Sequence, residues 1–332
     1  VVTASPAAQQ DNYAPTGWSA PAALHRVLYL TPTTSFILSG LADGFAGATV
    51  DLVNGSSDFL VLIEDDSTDS TAANRIVLRN PVFLMPGAML SLWYDATSSR
   101  WRARSASSGI GFGAFFDAFE DFVGGTGAYG SAVAGTGASV QQSSYLLNTT
   151  ERPHGALQAD TGTTATGRAH IGASQNNVIY PTSGQAISLT RLAVEALSIA
   201  TDRFQVFCGF HDAVGGVNVT DGAYWCYRDD VSAAWQAGVA SGGTRVENFA
   251  AGPTVDLNYI WLGVFVNAAW TNATFFYSID SQAWVIAGTR NTGLPTSAQV
   301  TGMGATINKT VGTTQRNLSI DLMAHRYDLS RG

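Results

Sequence analysis

Apolar and polar residues alternate along this chain in short runs, and each run is closed by Gly, Pro, Asn, Asp or Ser. A helix needs a period of 3.6 sustained over ten or more residues, whereas a half-buried strand needs a period of two over about four to eight. The pattern therefore predicts an all-β protein. In the first third the expected strands are Leu24–Leu30, Ser35–Leu38, Ala48–Val53, Phe59–Ile63, Arg75–Leu78, Met89–Tyr94 and Arg100–Arg104. Thr49, Asp51 and Val53 alternate with Val50 and Leu52, and Leu90, Leu92 and Tyr94 alternate with Ser91 and Trp93, so one face of each strand is core.

Further along, strands are expected at Ala186–Leu189, Ala193–Ile199, Phe204–Phe210, Ala223–Tyr227, Thr244–Phe249, Tyr259–Val266, Ala273–Ile279, Ala283–Ala287 and Leu318–Tyr327. The run Phe204 to Phe210 is largely apolar on both faces, as in a central strand between two sheets. With 332 residues the chain exceeds one ordinary core. The expected order is an N-terminal attachment arm (1–20), a small β-sandwich (21–105), a short helix with a Gly/Ala/Ser linker (106–144) and a larger β-sandwich (145–332). The helix is expected because Phe112, Phe115, Phe116, Phe119 and Phe122 share one helical face, with Asp117, Glu120 and Asp121 opposite. That Phe stripe has two readings, a threefold bundle at an oligomer interface or packing onto its own domain.

Only 13% of residues are charged, the net charge is −8, and Lys309 is the sole lysine. A surface built from hydroxyls and amides suits close subunit packing or hydrogen bonding to neutral polyols. It lacks the basic face that a phosphate backbone or an anionic membrane requires, so neither nucleic acid nor membrane insertion is expected. No apolar run reaches the roughly 20 residues of a membrane span, and no export signal follows Val1. Asn-x-Ser/Thr triplets begin at Asn54, Asn148, Asn218, Asn272, Asn308 and Asn317, in keeping with the abundance of these residues.

No Glu-x-Asp-x-x-Glu pair of the glycosidase type occurs, and the single acids of the second half, Glu195 excepted, read as turn residues. Glu195 lies between Val194 and Ala196, where a surface-facing strand position accounts for it. His211-Asp212 has no Gly-x-Ser-x-Gly partner. Asp65, Asp66 and Asp69 lack the Gly and Glu of a calcium loop, so no metal and no cofactor is expected. Cys208 and Cys226 fall opposite each other if their strands pair through a turn near Val217; two buried reduced thiols are expected. A sugar ring is usually met by an aromatic plate flanked by amides or carboxylates. Three places fit: Trp235 near Arg228 and Asp230, Trp270 between Asn267 and Asn272, and Trp284 beside Asp280 and Gln282. Trp225 and Trp261 lie inside strand runs and are assigned to the core or a subunit interface.

The segments SIATDRFQVFCGFHD (198–212), DGAYWCYRD (221–229), TFFYSID (274–280) and INKTVGTTQRNLSIDL (307–322) resemble the concanavalin A-like jelly roll at the C-termini of phage tail fibres. GATVDLVNGS (47–56), NRIVL (74–78) and LSLWYDATSSRWRA (90–103) are similar to the β-rich modules that precede such tips. The resemblance implies a trimeric virion protein that attaches to other tail or head proteins and meets host surface glycan with its C-terminal domain. It carries over no residue-level site. Two other readings stand beside it: a purely structural head-fibre or decoration subunit, and a polysaccharide depolymerase.

Overall fold

The computed structural model describes residues 1–18, 24–78, 80–107, 110–111, 118–120, 130–142, 156–172, 181, 184–213, 218–279 and 283–329. They are almost entirely strand and turn. The one helical element among them is a 3-10 turn at Ala72–Asn74. The chain divides into two compact units, Val1–Phe116 with Asp280–Thr289, and Asp117–Ile279 with Arg290–Gly332.

The first unit is a small sandwich. One sheet runs, in hydrogen-bonded order, Val2–Ala4, His25–Leu30, Thr49–Asn54, Met89–Asp95, Arg100–Ser107, Ile76–Val77; the other runs Ile110–Gly111, Val82–Leu84, Val61–Ile63, Phe36–Leu38. Alternation places Val50, Leu52, Leu90 and Leu92 against Leu38, Val61, Ile63 and Leu84 in one buried cluster. Trp101 closes it and donates its indole N–H to the Leu41 carbonyl at 2.8 Å. Val82–Leu84 was not expected from sequence, because a short run buried on both faces has no alternation to read.

The expected free arm is instead woven into this unit. Val2–Ala4 pairs in parallel with Leu28–Leu30, Gln10 and Tyr13 bridge to Leu38 and Leu41, and Trp18 is buried. The Val-Thr-Ala alternation and the indole of Trp18 give these residues a face to bury, which their polar composition conceals.

The second unit stacks two antiparallel sheets, the architecture of a large jelly-roll sandwich. One runs Ser139–Gln142, Leu157–Asp160, Asn317–Leu329, Gly184–Val194, Ile260–Val266, Ala273–Ser278. The other runs Gly130–Ala134, Arg168–Gly172, Gly302–Lys309, Phe204–His211, Gly222–Arg228, Ser232–Ser241, Thr244–Thr254. Phe204, Val206, Cys208, Phe210, Trp225 and Ile307 are buried, and Trp225 donates to the Gly263 carbonyl of the opposing sheet at 2.9 Å. The sole lysine adds nothing to the surface charge, since Lys309 is buried and donates to the Gly162 carbonyl at 2.5 Å.

Two expectations for the middle of the chain are corrected. Where a helix was expected, Ile110–Gly111 pairs with Val82–Phe83, and Ala118–Glu120 pairs with Met323–His325. Phe119 is thus in a strand, while Phe112, Phe115, Phe116 and Phe122 lie outside the described residues. The expected linker contains the strands Gly130–Ala134 and Ser139–Gln142, joined where Gly135 and Gly137 take positive φ. Small side chains there mark edge strands and a tight turn rather than flexibility. Cys208 is also not opposite Cys226: its partner is Trp225, and Cys226 faces Phe207. A one-residue offset sends the two side chains to opposite faces of the sheet. Both thiols are buried and free, and burial pushes both well above the usual thiol range.

Candidate functional site

The three expected aromatic plates are corrected first. Trp235, Trp270 and Trp284 are 2%, 2% and 3% exposed. Trp235 packs against Tyr227, Trp270 against Phe210, and Trp284 meets the edge of Phe83 at 5.2 Å between ring centroids. Trp270 also donates to the Gly184 carbonyl at 3.2 Å. Asn267 closes its own turn: its Oδ1 accepts from the backbone N–H of Thr271 and Asn272 at 2.8 and 3.0 Å, and its Nδ2 donates to the Thr271 hydroxyl. Asn272 sits half-buried in that turn, and Asp280 lies outside the described residues. None of the three indoles offers a ring face to a ligand. An indole at a strand end serves equally well to seal the end of the core.

The polar groups gather elsewhere, on the second unit's sheet that holds Phe204–His211. Strand periodicity turns Phe204, Val206, Cys208 and Phe210 toward the facing sheet and Gln205, Phe207, Gly209 and His211 the other way. Register extends that second face across the neighbouring strands. One row holds Asn308, Gln205, Arg228 and Ser232; the next holds Thr306, Phe207, Cys226 and Gln236; the next holds Gly304, Gly209, Tyr224, Gly238 and Glu247. The segment after His211 covers part of this face, where Ala213 and Val219 pack on Phe207, Tyr224 and Cys226.

Next to this cover the polar side chains form a clamp that is itself mostly buried. Glu247 accepts from the Tyr224 hydroxyl at 3.0 Å and from Arg228 at 2.8 Å, and Arg245 lies 3.5 Å away. Arg228 reaches Asp230 at 3.3 Å with its other amino group. Burial alone would lower the Arg228 pKa, yet the carboxylates of Glu247 and Asp230 raise it, so the guanidinium keeps its charge. Gln236 donates to the Ser232 hydroxyl at 2.9 Å. Gln205 is 7% exposed, and its Oε1 has no hydrogen-bond partner although it is buried beside the strands that carry Arg228 and Asn308. An unmet buried acceptor of this kind costs roughly 1–3 kcal/mol.

His211 belongs to the same face but holds no relay. Burial lowers its pKa to about 4, its Nε2 donates to the Gly304 carbonyl at 3.2 Å, and its Nδ1 accepts from the Ala213 amide. Asp212 is engaged by Thr220 and by the Asp221 amide. Glu195, just past the Gly184–Val194 strand, accepts from Gln158 at 2.6 Å and Asn317 at 2.8 Å. Asp66 faces Arg75 and Arg100, and Asp69 accepts from Gln9 at 2.8 Å. Among the described residues no group of three or more His, Cys, Asp or Glu side chains is placed to hold a metal ion. Sequence had named Arg228 and Asp230 only as companions of Trp235 and had missed Gln205, Gln236, Arg245 and Glu247. The available signal was the polar member of each strand pair, Gln205 in FQVFCGFH and Gln236 in AAWQAGVA.

No known protein-family profile matches the chain, and no curated protein matches it in sequence. Solved structures similar to it include a protein of unknown function from Shewanella oneidensis MR-1 (TM-score 0.48, 13% identity, 65% of this chain and 87% of that one). Peanut lectin with a bound nonapeptide is similar at TM-score 0.44 and 11% identity, over 64% of this chain and 97% of the lectin. The Emp47p carbohydrate-recognition domain is similar at TM-score 0.41 and 11% identity, over 63% and 94%.

Proposed function

We propose that the chain is a glycan-recognition protein of a phage particle, tail-fibre-like and trimeric, with no reaction chemistry of its own. Its first unit attaches to other virion proteins, and its larger sandwich meets a host surface glycan. The observation that carries the binding reading is the row Asn308, Gln205, Arg228 and Ser232, bordered by Gln236 and Glu247, which gathers amides, a hydroxyl and a guanidinium on one sheet face. Amides, a hydroxyl and a fork-shaped guanidinium are the groups that read the rim of hydroxyls on a pyranose. The scarcity of charge elsewhere supports the same reading, and the resemblance of segments 198–212, 221–229, 274–280 and 307–322 to fibre tips supports the virion setting.

The test is binding of the purified chain to immobilised bacterial surface polysaccharides. Wild-type protein is expected to retain at least one of them, and Arg228→Ala and Gln236→Ala are each expected to weaken retention about tenfold, the loss of one or two charge-assisted or neutral hydrogen bonds. Arg228→Lys keeps the charge that Glu247 needs but loses the fork, and is expected to fold normally and still bind poorly. Retention of no polysaccharide by wild type, or full retention by all three variants, would overturn the reading. Shortened polysaccharide chains after incubation would show instead that the protein cuts what it binds.

A further inference from the structure

The first unit carries an aromatic ring of the kind missing from the second. Along Met89–Asp95 the burial alternates, with Leu90, Leu92 and Tyr94 inside, and Trp93 stands outward, 37% exposed. A single exposed indole is ordinary on a protein surface, so its surroundings decide what it can do. Register surrounds it with polar side chains. Trp93 pairs with Thr49 and Arg102, Thr49 with His25, and Ser91 with Asp51, all on the same outward face.

Beside the indole is a depression of about 160 Å³ lined by His25, Thr49, Asp51, Ser91, Arg104 and Ser105, with Leu92 beneath. That is the space of about five waters at ~30 Å³ each, which accommodates a single sugar ring rather than an extended peptide. Its donors and acceptors are already fixed. Ser91 donates to Asp51 Oδ1, His25 Nε2 lies 3.3 Å from Asp51 Oδ2, and His25 Nδ1 lies 2.9 Å from the Thr49 hydroxyl. Thr49 in turn donates to the Leu24 carbonyl at 3.1 Å. Arg102 is held by Asp95 at 2.9 Å, so Arg104 is the guanidinium that borders the depression.

We propose that this outward face is a second carbohydrate site, in which Trp93 stacks on the C–H face of a neutral hexopyranose while Asp51 and Arg104 bond its hydroxyls and His25 holds the Asp51 carboxylate in place. A carboxylate and a guanidinium on opposite sides suit hydroxyls, which donate to one and accept from the other. An anionic sugar would set its charge against Asp51, and a peptide strand finds no free edge in the middle of a sheet. The site is independent of the polar row in the second unit, and two sites on one chain give a repeating surface glycan a second hold by effective concentration.

The experiment uses full-length Arg228→Ala protein, in which the second unit's clamp is disabled, and titrates methyl α- and β-glycosides of glucose, galactose, mannose and N-acetylglucosamine by saturation-transfer NMR. At least one neutral glycoside is expected to bind with a millimolar Kd. Adding Trp93→Ala is expected to weaken that binding at least tenfold, Trp93→Tyr less, and Asp51→Asn about fivefold, with circular dichroism unchanged because Trp93 is exposed and Asn keeps an acceptor for Ser91. Absence of binding by every glycoside, or binding that survives Trp93→Ala, would overturn the proposal. Tighter binding of methyl glucuronide than of methyl glucoside would overturn the neutral class. Loss of polysaccharide binding in wild type with glycoside binding intact would refute only the second unit's role.

Discussion

His170, His211 and His325 are neutral in the folded protein, because burial holds their pKa values at about 3, about 4 and about 3; the neighbouring His211 adds to the effect on His170. A histidine depressed below its ordinary value near 6.5 contributes stability that is present above that value and lost as pH falls toward the folded pKa. At pH 5 the cost is about 2 kcal/mol for each, an upper figure since the folded protein can relax. Urea titrations are therefore expected to show a level midpoint from pH 8 to 7 and a marked fall by pH 5, and a level midpoint through pH 5 would contradict this. Glu64 has the opposite sign. It is 2% exposed, burial raises its pKa against the opposing bonds from Ser67 and the Trp284 amide, and Asp69 and Asp11 add to the rise. Its ionised form costs stability as pH rises through the raised pKa. Glu64→Gln keeps an acceptor for the Trp284 amide, 3.0 Å away, and removes the charge. Thermal midpoints are expected to be higher for Glu64→Gln than for wild type at pH 8, with the gap closing at pH 4.

Strand packing in the second unit depends on a line of glycines. Gly130, Gly172, Gly304 and Gly209 are register partners across four strands of the Phe204–His211 sheet. A Cβ on Gly304 would lie 2.5 Å from the Ile171 carbonyl oxygen and 2.6 Å from the His170 ring, and Gly209 holds φ 122. Gly304→Ala is expected to lower stability by about 1–3 kcal/mol, read from the urea midpoint, because backbone and a buried ring must move. The same glycines explain why Gly302–Lys309 was not legible as a strand, since GMGATINK shows no alternation of large apolar residues. Thr49–Asn54 and Met89–Asp95 were legible because each buries one face against water on the other. The run Ala186–Leu189 continues as one strand, Gly184–Val194, with a register shift at Arg191/Leu192, and of the run Ala193–Ile199 only Ala193 and Val194 belong to it. Thr190 and Arg191 interrupt the apolar pattern without interrupting the hydrogen bonds. The Phe spacing of 112–122 fits a helix, yet the part of it that is described pairs as a strand, so tertiary contacts decide where local period is short.

At the scale of the whole molecule, the all-β class and the larger sandwich were legible in the sequence, whereas the candidate site was largely not. Indoles near turns suggested exposed plates, but burial depends on what covers the end of a sandwich, and that is set by residues distant in sequence. The polar row was hidden because Gln205 and Gln236 each stand alone in an apolar run and become neighbours of Arg228, Asn308 and Ser232 only through pairing. The proposed trimer would have a native mass near three times 34.8 kDa, and a monomer would remove the fibre reading. The most direct measurement is a crystal structure of the chain soaked with a polysaccharide fragment that it retains. A sugar ring is expected on the second unit's outward sheet face, with hydroxyls within hydrogen-bond distance of the Arg228 guanidinium; a fragment bound with that group untouched would contradict the account.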